Sequence, residues 1–126
     1  MNILIVEDDR FTRGMLFQMV SNIGEHDVSV VTNGRSAVSL LADPAHGFDL
    51  VFIDMYMPHL NGDKVIEIIQ DVAKVHFVVL TGHPLDFPKL PGHIQIVRKP
   101  ANYKLIQHVI QERENNFKSQ RKHPCA

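Results

Sequence analysis

Carboxylate and ammonium side chains stand where apolar runs of this sequence end. Glu7, Asp8 and Asp9 directly follow the apolar run at 3–6, and Asp54 directly follows the run at 50–53. Lys99 comes two residues after the run at 94–97. Carboxylate oxygens are hard ligands that suit a small cation such as Mg²⁺, and a lysine ammonium is a compact positive charge that suits an oxyanion. If the fold brings these groups together, they form a cation site beside an oxyanion site.

The apolar runs themselves are short and continuous, a pattern typical of strands buried on both faces of a parallel sheet. The four runs cover residues 3–6, 50–53, 77–80 and 94–97, and Thr81 follows the run at 77–80. Ligands bind an open parallel sheet at the carboxyl ends of its strands. We therefore expect the Thr81 hydroxyl to share one edge of the sheet with the carboxylates and Lys99.

Helical patterns alternate with these strands. Apolar residues with helical spacing cover 11–23, 37–41, 65–72 and 105–110, and a further strand is predicted at 28–31. Asp9 is the predicted N-cap of the first helix and Gly24 its stop, and the Met and Phe residues of that helix are predicted to lie in the core. Strands and helices that alternate at these lengths predict an α/β fold with βαβ units and a parallel sheet.

The composition restricts the function classes. The 126 residues suit one domain, predicted over 1–114. The polar residues 115–126 are predicted to form a flexible tail, the start of a linker or a frayed extension of the last helix. A formal net charge of -1 favours neither nucleic acid nor an acidic lipid surface as a partner. No apolar run reaches the length that crosses a bilayer, no signal peptide is visible, and the single cysteine, Cys125, fits a reducing cytoplasm.

The chemistry that this edge favours is phosphoryl transfer. Crowded carboxylates repel one another, so a divalent cation would stabilise the ionised forms of Glu7, Asp8 and Asp54. Mg²⁺ accepts one or two carboxylates and neutralises the charge that a transferred phosphoryl group carries. An aspartate can itself take the phosphoryl group, while Lys99 and Thr81 contact the phosphoryl oxygens.

Four segments of the chain, in order, resemble the receiver domain of two-component response regulators, including those of chemotaxis. They are Val-Glu-Asp-Asp at 6–9, Asp-Met-Tyr-Met-Pro-His-Leu-Asn-Gly at 54–62, Leu-Thr-Gly at 80–82 and Lys-Pro at 99–100. The resemblance covers nearly the whole chain to about Glu114. It implies a flavodoxin-like, doubly wound fold with five parallel strands in the order 2-1-3-4-5.

The resemblance also implies a role for each residue of the edge. Asp54 would accept a phosphoryl group from a histidine kinase or a histidine phosphotransfer protein. Mg²⁺ would be ligated by the side chains of Asp8 and Asp54 and by the backbone carbonyl of Tyr56, with Glu7 acting mainly through water. Phosphorylation would then switch the interactions with a downstream effector or with a fused output domain.

The chain departs from the resembled family in one region. Ile96 stands where the family commonly has Phe or Tyr, and prolines at 84, 88 and 91 predict that the fourth helix is shortened or replaced by a Pro-rich loop. We therefore expect residues 82–92, rather than the side chain of Ile96, to carry the signal. The Lys99–Pro100 peptide bond is expected to be cis.

Two other functions compete with the phosphoacceptor. An aspartyl-phosphate phosphatase also has a nucleophilic Asp after a strand, but it would need a second acid where Tyr56 stands. A receiver-like scaffold that is never phosphorylated would not need the acids, Thr81 and Lys99. The eight histidines lack the spacing of a zinc site, and only His83, two residues after Thr81, is a functional candidate among them.

Overall fold

The computed structural model describes residues 1–70, 75–83 and 90–122, with side chains through residue 116. The elements are β1 (Asn2–Val6), α1 (Arg10–Asn22), β2 (Asp27–Val31), α2 (Gly34–Leu41), β3 (Leu50–Asp54), α3 (Gly62–Ile69), β4 (His76–Thr81), β5 (Gln95–Arg98) and α4 (Tyr103–Lys122). The predicted alternation of strands and helices is confirmed.

All five strands pair in parallel, in the order β2-β1-β3-β4-β5. The direction of winding reverses beside β1, because β2 lies on one side of it and the remaining strands lie on the other. In such sheets the crevice at the carboxyl ends of the strands on either side of the reversal is the usual ligand site. The predicted flavodoxin-like fold is therefore confirmed, and the carboxyl ends of β1 and β3 meet where a ligand would bind.

Helices cover both faces of the sheet. Alternate residues of a strand point to opposite faces. Leu4 and Val6 of β1 pack in one cluster with α2 and α3, whereas Ile3 and Ile5 pack in a second cluster with α1 and α4. Strand β3 is buried along its whole length. Burial on both faces explains why these strands are continuous apolar runs rather than alternating ones.

Helix α1 buries a narrower stripe than its sequence predicts. Leu16 and Val20 are buried against the sheet, but Phe11 is 74% exposed, and Met15 and Phe17 are exposed as well. The prediction that the Met and Phe residues of this helix lie in the core is wrong for these three. The physical reason is that a helix packed on a sheet buries only the side chains that face the sheet.

Two predictions concern the C-terminal half of the chain. The backbone is helical through Lys122, so residues 115–122 continue α4, and the domain boundary at 114 stays a prediction. The predicted replacement of the fourth helix by a Pro-rich loop falls mainly on residues 84–89, which lie outside the described residues, as do 71–74 and 123–126. Among the described helices, none combines the length and the apolar character that crossing a membrane requires.

The turn between β3 and α3 is tight, and Gly62 allows it. The Gly62 N–H donates a hydrogen bond to the Met55 carbonyl at 2.8 Å, which folds the chain back onto the end of β3. A Cβ at Gly62 would fall on the backbone carbonyl oxygen of Asp54. The close approach therefore fixes the backbone that carries the Asp54 side chain.

We expect Gly62→Ala to destabilise the fold by about 1–3 kcal/mol, because the added methyl group forces the start of α3 away from β3. Gly14→Ala is the matched control, since Gly14 lies within α1 and its added Cβ would meet open space. That control should stabilise the protein by about 0.5–1 kcal/mol through helix propensity. Urea denaturation of both variants measures the two effects. Stabilisation by Gly62→Ala would contradict the close approach.

Candidate functional site

Four strand ends lie side by side at the carboxyl edge of the sheet. Strand β1 leads directly into Glu7 and Asp8, β3 ends at Asp54, β4 ends at Thr81, and Lys99 follows β5 directly. The order β1-β3-β4-β5 makes these strands successive neighbours. The structure therefore brings the predicted residues of the edge to one place.

Three carboxylates converge there. One oxygen each from Glu7, Asp8 and Asp54 lies within 4.8 Å of the other two. Glu7 and Asp54 are buried, whereas Asp8 is exposed, so the cluster opens to solvent on one side. Tyr56 lies in the loop after β3, and a contribution from its backbone carbonyl stays a prediction.

Lys99 is the positive partner of these carboxylates. Its Nζ lies 3.0 Å from Oδ1 of Asp54 and 3.3 Å from Oε2 of Glu7. Burial of the ammonium opposes its charge, but the hydrogen bond and attraction to Asp54, together with the attraction to Glu7, outweigh burial and raise the pKa of Lys99. Lys99 therefore remains charged at neutral pH and holds two carboxylates from two different strands.

Glu7 is fully buried, and both of its oxygens are engaged. Oε1 accepts a hydrogen bond from the Asp9 N–H at 3.1 Å, and Oε2 faces Lys99. Burial first, and then repulsion by Asp54, raise the pKa of Glu7 from 4.5 to about 7, although the Asp9 N–H and Lys99 act in the opposite direction. The expected contact of Glu7 with a cation through water stays a prediction, since a Glu7 oxygen also lies in the cluster that could hold an ion.

Thr81 is the last residue of β4 and is hydrogen-bonded to the backbone of Lys99. Its side chain is buried, its carbonyl accepts a hydrogen bond from the Lys99 N–H at 2.9 Å, and its hydroxyl accepts one from the His83 N–H at 3.2 Å. The His83 ring meets the Tyr56 ring edge-on, with centroids 5.9 Å apart. The Lys99–Pro100 bond is cis, as predicted. These contacts tie the loops after β3, β4 and β5 together around Asp54.

Arg13 also belongs to this edge, although it is absent from the predicted site residues. Its Nη1 lies 3.2 Å from the backbone carbonyl oxygen of Glu7 and 3.3 Å from that of Asp8. The signal in the sequence is a basic residue in the first turn of α1, where the helix macrodipole disfavours a positive charge. Arg10 stands in the same turn, so this signal alone does not single out Arg13.

The donor set fits a hard divalent cation. Three carboxylates face one ammonium, so the site has an excess of negative charge that such a cation would balance. Carboxylate oxygens are the side-chain ligands that Mg²⁺ prefers. The exposed carboxylate of Asp8 gives the cation access from solvent.

Known proteins resemble this chain across nearly its whole length. The sequence profile of the response regulator receiver domain matches residues 3–111. A protein-glutamate methylesterase/protein-glutamine glutaminase of Natronomonas pharaonis is 27% identical over 78% of this chain and 29% of that protein. The two-component response regulator ARR2 of Arabidopsis thaliana is 26% identical over 93% of this chain and 19% of that protein. The chain thus spans less than a third of the length of these curated relatives.

Solved structures share the fold. The receiver domain of the sensor histidine kinase PA1611 from Pseudomonas aeruginosa, described with a magnesium ion in its active site cleft, superposes with a TM-score of 0.77 at 23% identity, over 88% of this chain and 94% of that one. A chain of the Saccharomyces cerevisiae complex between the histidine phosphotransfer protein Ypd1 and the receiver domain of Ssk1 gives 0.76 at 24% identity, over 89% of this chain and 87% of that one. At these identities the likeness shows the fold.

The raised pKa of Glu7 predicts how stability depends on pH in metal-free solution. An unfolded Glu7 ionises near 4.5, whereas the folded protein retains its proton to about 7. Between these values the folded state binds more protons, so this group's contribution to stability falls as pH rises. We expect Glu7→Gln, compared with wild type in urea denaturation with EDTA from pH 4.5 to 8, to lose this decline.

The difference between the two proteins isolates Glu7, because every other ionisable group is present in both. Glu25→Gln is the matched control, because Glu25 is exposed and lies outside the cluster of Glu7, Asp8 and Asp54. This variant should keep the wild-type dependence of stability on pH. If Glu7→Gln and Glu25→Gln gave the same profile, the folded protein would not hold a proton on Glu7.

Proposed function

Because this chain belongs to the response regulator receiver domain family, we propose that it is a phosphoacceptor in two-component signalling. Asp54 takes a phosphoryl group from the phosphohistidine of a histidine kinase or of a histidine phosphotransfer protein. The observation that carries the proposal is the buried Asp54 carboxylate, 3.0 Å from Lys99 and within 4.8 Å of the Glu7 and Asp8 carboxylates. That arrangement supplies a nucleophile, a positive charge and a cation site together.

The transfer step uses the carboxylate directly. An oxygen of Asp54 attacks the phosphorus atom, a P–O bond forms, and the P–N bond to the donor imidazole breaks. The imidazole, protonated on its other nitrogen, leaves as neutral imidazole with the bonding electron pair. The product is an acyl phosphate on Asp54, a known kind of covalent intermediate.

Lys99 and Thr81 act on the phosphoryl oxygens. In the unphosphorylated protein the Lys99 ammonium is hydrogen-bonded to Asp54, and it would transfer its hydrogen bond to a phosphoryl oxygen as the carboxylate charge is lost. Thr81 ends the neighbouring strand, and its hydroxyl would donate to another phosphoryl oxygen. The contact between Lys99 and Asp54 exists before the reaction, which supports the role proposed for this ammonium.

Mg²⁺ is the cation that we propose for the acidic cluster. The side chains of Asp8 and Asp54 and the backbone carbonyl of Tyr56 would hold it, and Glu7 would act through water. When bound, Mg²⁺ neutralises negative charge on the phosphoryl oxygens. Burial first, and then repulsion by Asp54, raise the pKa of Glu7, and a cation would relieve the repulsion between the carboxylates.

Phosphorylation would act as a regulatory switch rather than as one step of an enzyme's turnover. A phosphoryl group carries about -1.5 to -2 charges at neutral pH, which is enough to rearrange the loops around Asp54. We propose that residues 82–92 carry this change to a downstream effector or to a fused output domain. The expected compartment is the cytoplasm, and neither nucleic acid nor a membrane is a proposed direct partner.

The acceptor role is tested by Asp54→Asn, an isosteric variant without the nucleophilic oxygen. We expect it to take up no phosphoryl group from a small phosphodonor with Mg²⁺, whereas wild type gains the mass of one. Asp27→Asn is the matched control, because Asp27 is exposed at the opposite end of the sheet, and it should be modified like wild type. Intact mass spectrometry measures the product. Wild-type modification of Asp54→Asn would remove this residue from the role, and an unmodified wild type would favour the scaffold alternative.

The cation site is tested by thermal stability. A ligand that binds only the folded protein stabilises it by about 2.7 kcal/mol at 100 times its dissociation constant. We expect Mg²⁺ to raise the melting temperature of wild type and Asp8→Ala to lose most of that rise. Asp43→Ala, at an exposed loop position, should respond like wild type. An equal response of the Asp8 and Asp43 variants would place the cation elsewhere.

A further inference from the structure

We infer that Arg13 positions the acidic turn, residues 7–9, and thereby raises the affinity of the edge for Mg²⁺. This role rests on the proposed function, because it concerns the same cation. Arg13 touches no proposed ligand atom. It acts through the backbone that carries the Glu7 and Asp8 side chains, and it is therefore a positioning residue.

The peptide group between Asp8 and Asp9 is held on both sides. Its carbonyl accepts a hydrogen bond from Nη1 of Arg13 at 3.3 Å, and its N–H donates one to Oε1 of Glu7 at 3.1 Å. A charged donor on the carbonyl polarises the peptide group and strengthens the hydrogen bond made by its N–H. The positive charge of Arg13 therefore acts on the Glu7 carboxylate through a single peptide group.

The preceding peptide group is held as well. The Glu7 carbonyl, which belongs to the peptide group between Glu7 and Asp8, accepts a hydrogen bond from the same Nη1 at 3.2 Å. The Glu7 N–H, which belongs to the peptide group before that one, donates to the Val31 carbonyl at 3.2 Å. Both peptide groups that flank Asp8 are thus fixed, although the Asp8 side chain is exposed. A carboxylate on a fixed backbone loses less freedom when it binds a cation, so its affinity is higher.

The first turn of α1 anchors Arg13 in this place. Asp9 is the N-cap, as predicted, and its Oδ2 accepts hydrogen bonds from the Thr12 N–H at 2.8 Å and from the Thr12 hydroxyl at 2.7 Å. The Asp9 carbonyl accepts the Arg13 N–H at 2.9 Å. The helix start therefore sets the distance from which the guanidinium reaches back to the turn.

Arg13 affects Mg²⁺ in two ways of opposite sign. Through space, a guanidinium repels a divalent cation, so its loss would tighten binding. As a tether of the acidic turn, its loss would weaken binding, because both carbonyls lose their donor. Residues that orient metal ligands typically contribute about 10–100-fold to metal affinity, which exceeds a repulsion that solvent and salt screen. The direction of the change therefore separates tethering from simple charge.

The experiment compares the Mg²⁺ affinity of wild type with that of Arg13→Met, Arg13→Lys and Arg10→Met by calorimetric titration. We expect roughly tenfold weaker binding for Arg13→Met. Arg13→Lys should be intermediate, because an ammonium keeps the charge but lacks the planar fork. Arg10→Met removes the same charge from an exposed position of the same turn, and it should bind Mg²⁺ as tightly as wild type or more tightly. Melting temperatures verify that each variant is folded.

A second measurement does not depend on the cation. In metal-free protein we expect the Asp9 amide resonance to move upfield and its hydrogen exchange to accelerate in Arg13→Met, but not in Arg10→Met. Unchanged Mg²⁺ affinity, tighter binding, or an unchanged Asp9 amide in Arg13→Met would overturn the positioning role. If wild type itself bound no Mg²⁺, the proposed function would fail, and the Asp9 amide would still decide whether Arg13 holds the turn.

Discussion

Two buried carboxylates held by one ammonium are the interaction on which the rest of this edge depends. Glu7 and Asp54 repel each other at the ends of adjacent strands, and burial increases the cost of their charges. Lys99 lies 3.0 Å from Asp54 and 3.3 Å from Glu7, and its positive charge offsets part of that cost. Because the three residues come from or directly follow β1, β3 and β5, the charge cluster joins sequence-distant strands at one end of the sheet.

This contact constrains what can lie between its partners. Strand β4 separates β3 from β5, so the Lys99 side chain must pass over the end of β4 to reach Asp54. The residues under that path are small: Thr81 is buried there, and a Cβ at Gly82 would already lie 4.0 Å from Cβ of Lys99. Small residues at the end of β4 and directly after it therefore suit the ion cluster, independently of the proposed phosphoryl transfer.

The strands and their charged ends could be predicted from the sequence. A strand that is buried on both faces appears as a continuous apolar run, and the run stops at a polar residue. The sequence could not predict which side of α1 faces the sheet, since Phe11, Met15 and Leu16 have similar hydrophobicity and only Leu16 is buried. The role of Arg13 could not be predicted for a different reason. Its hydrogen-bond partners are backbone carbonyls, which every residue has. The strand order came from a family resemblance, because the alternation of elements is compatible with several orders.

The backbone around the site is stabilised by contacts that do not involve the Asp54 side chain. The Asp9 cap and Arg13 hold the turn after β1, and the Gly62 N–H holds the turn after β3 through the Met55 carbonyl. None of these hydrogen bonds uses a side-chain atom of Asp54, so none depends directly on the charge that Asp54 carries. The Lys99 contacts, in contrast, depend directly on that charge. A change of charge on Asp54 is therefore expected to move Lys99 and the loop ends near it while the two turns keep their geometry, which is the mechanical condition for a reversible switch.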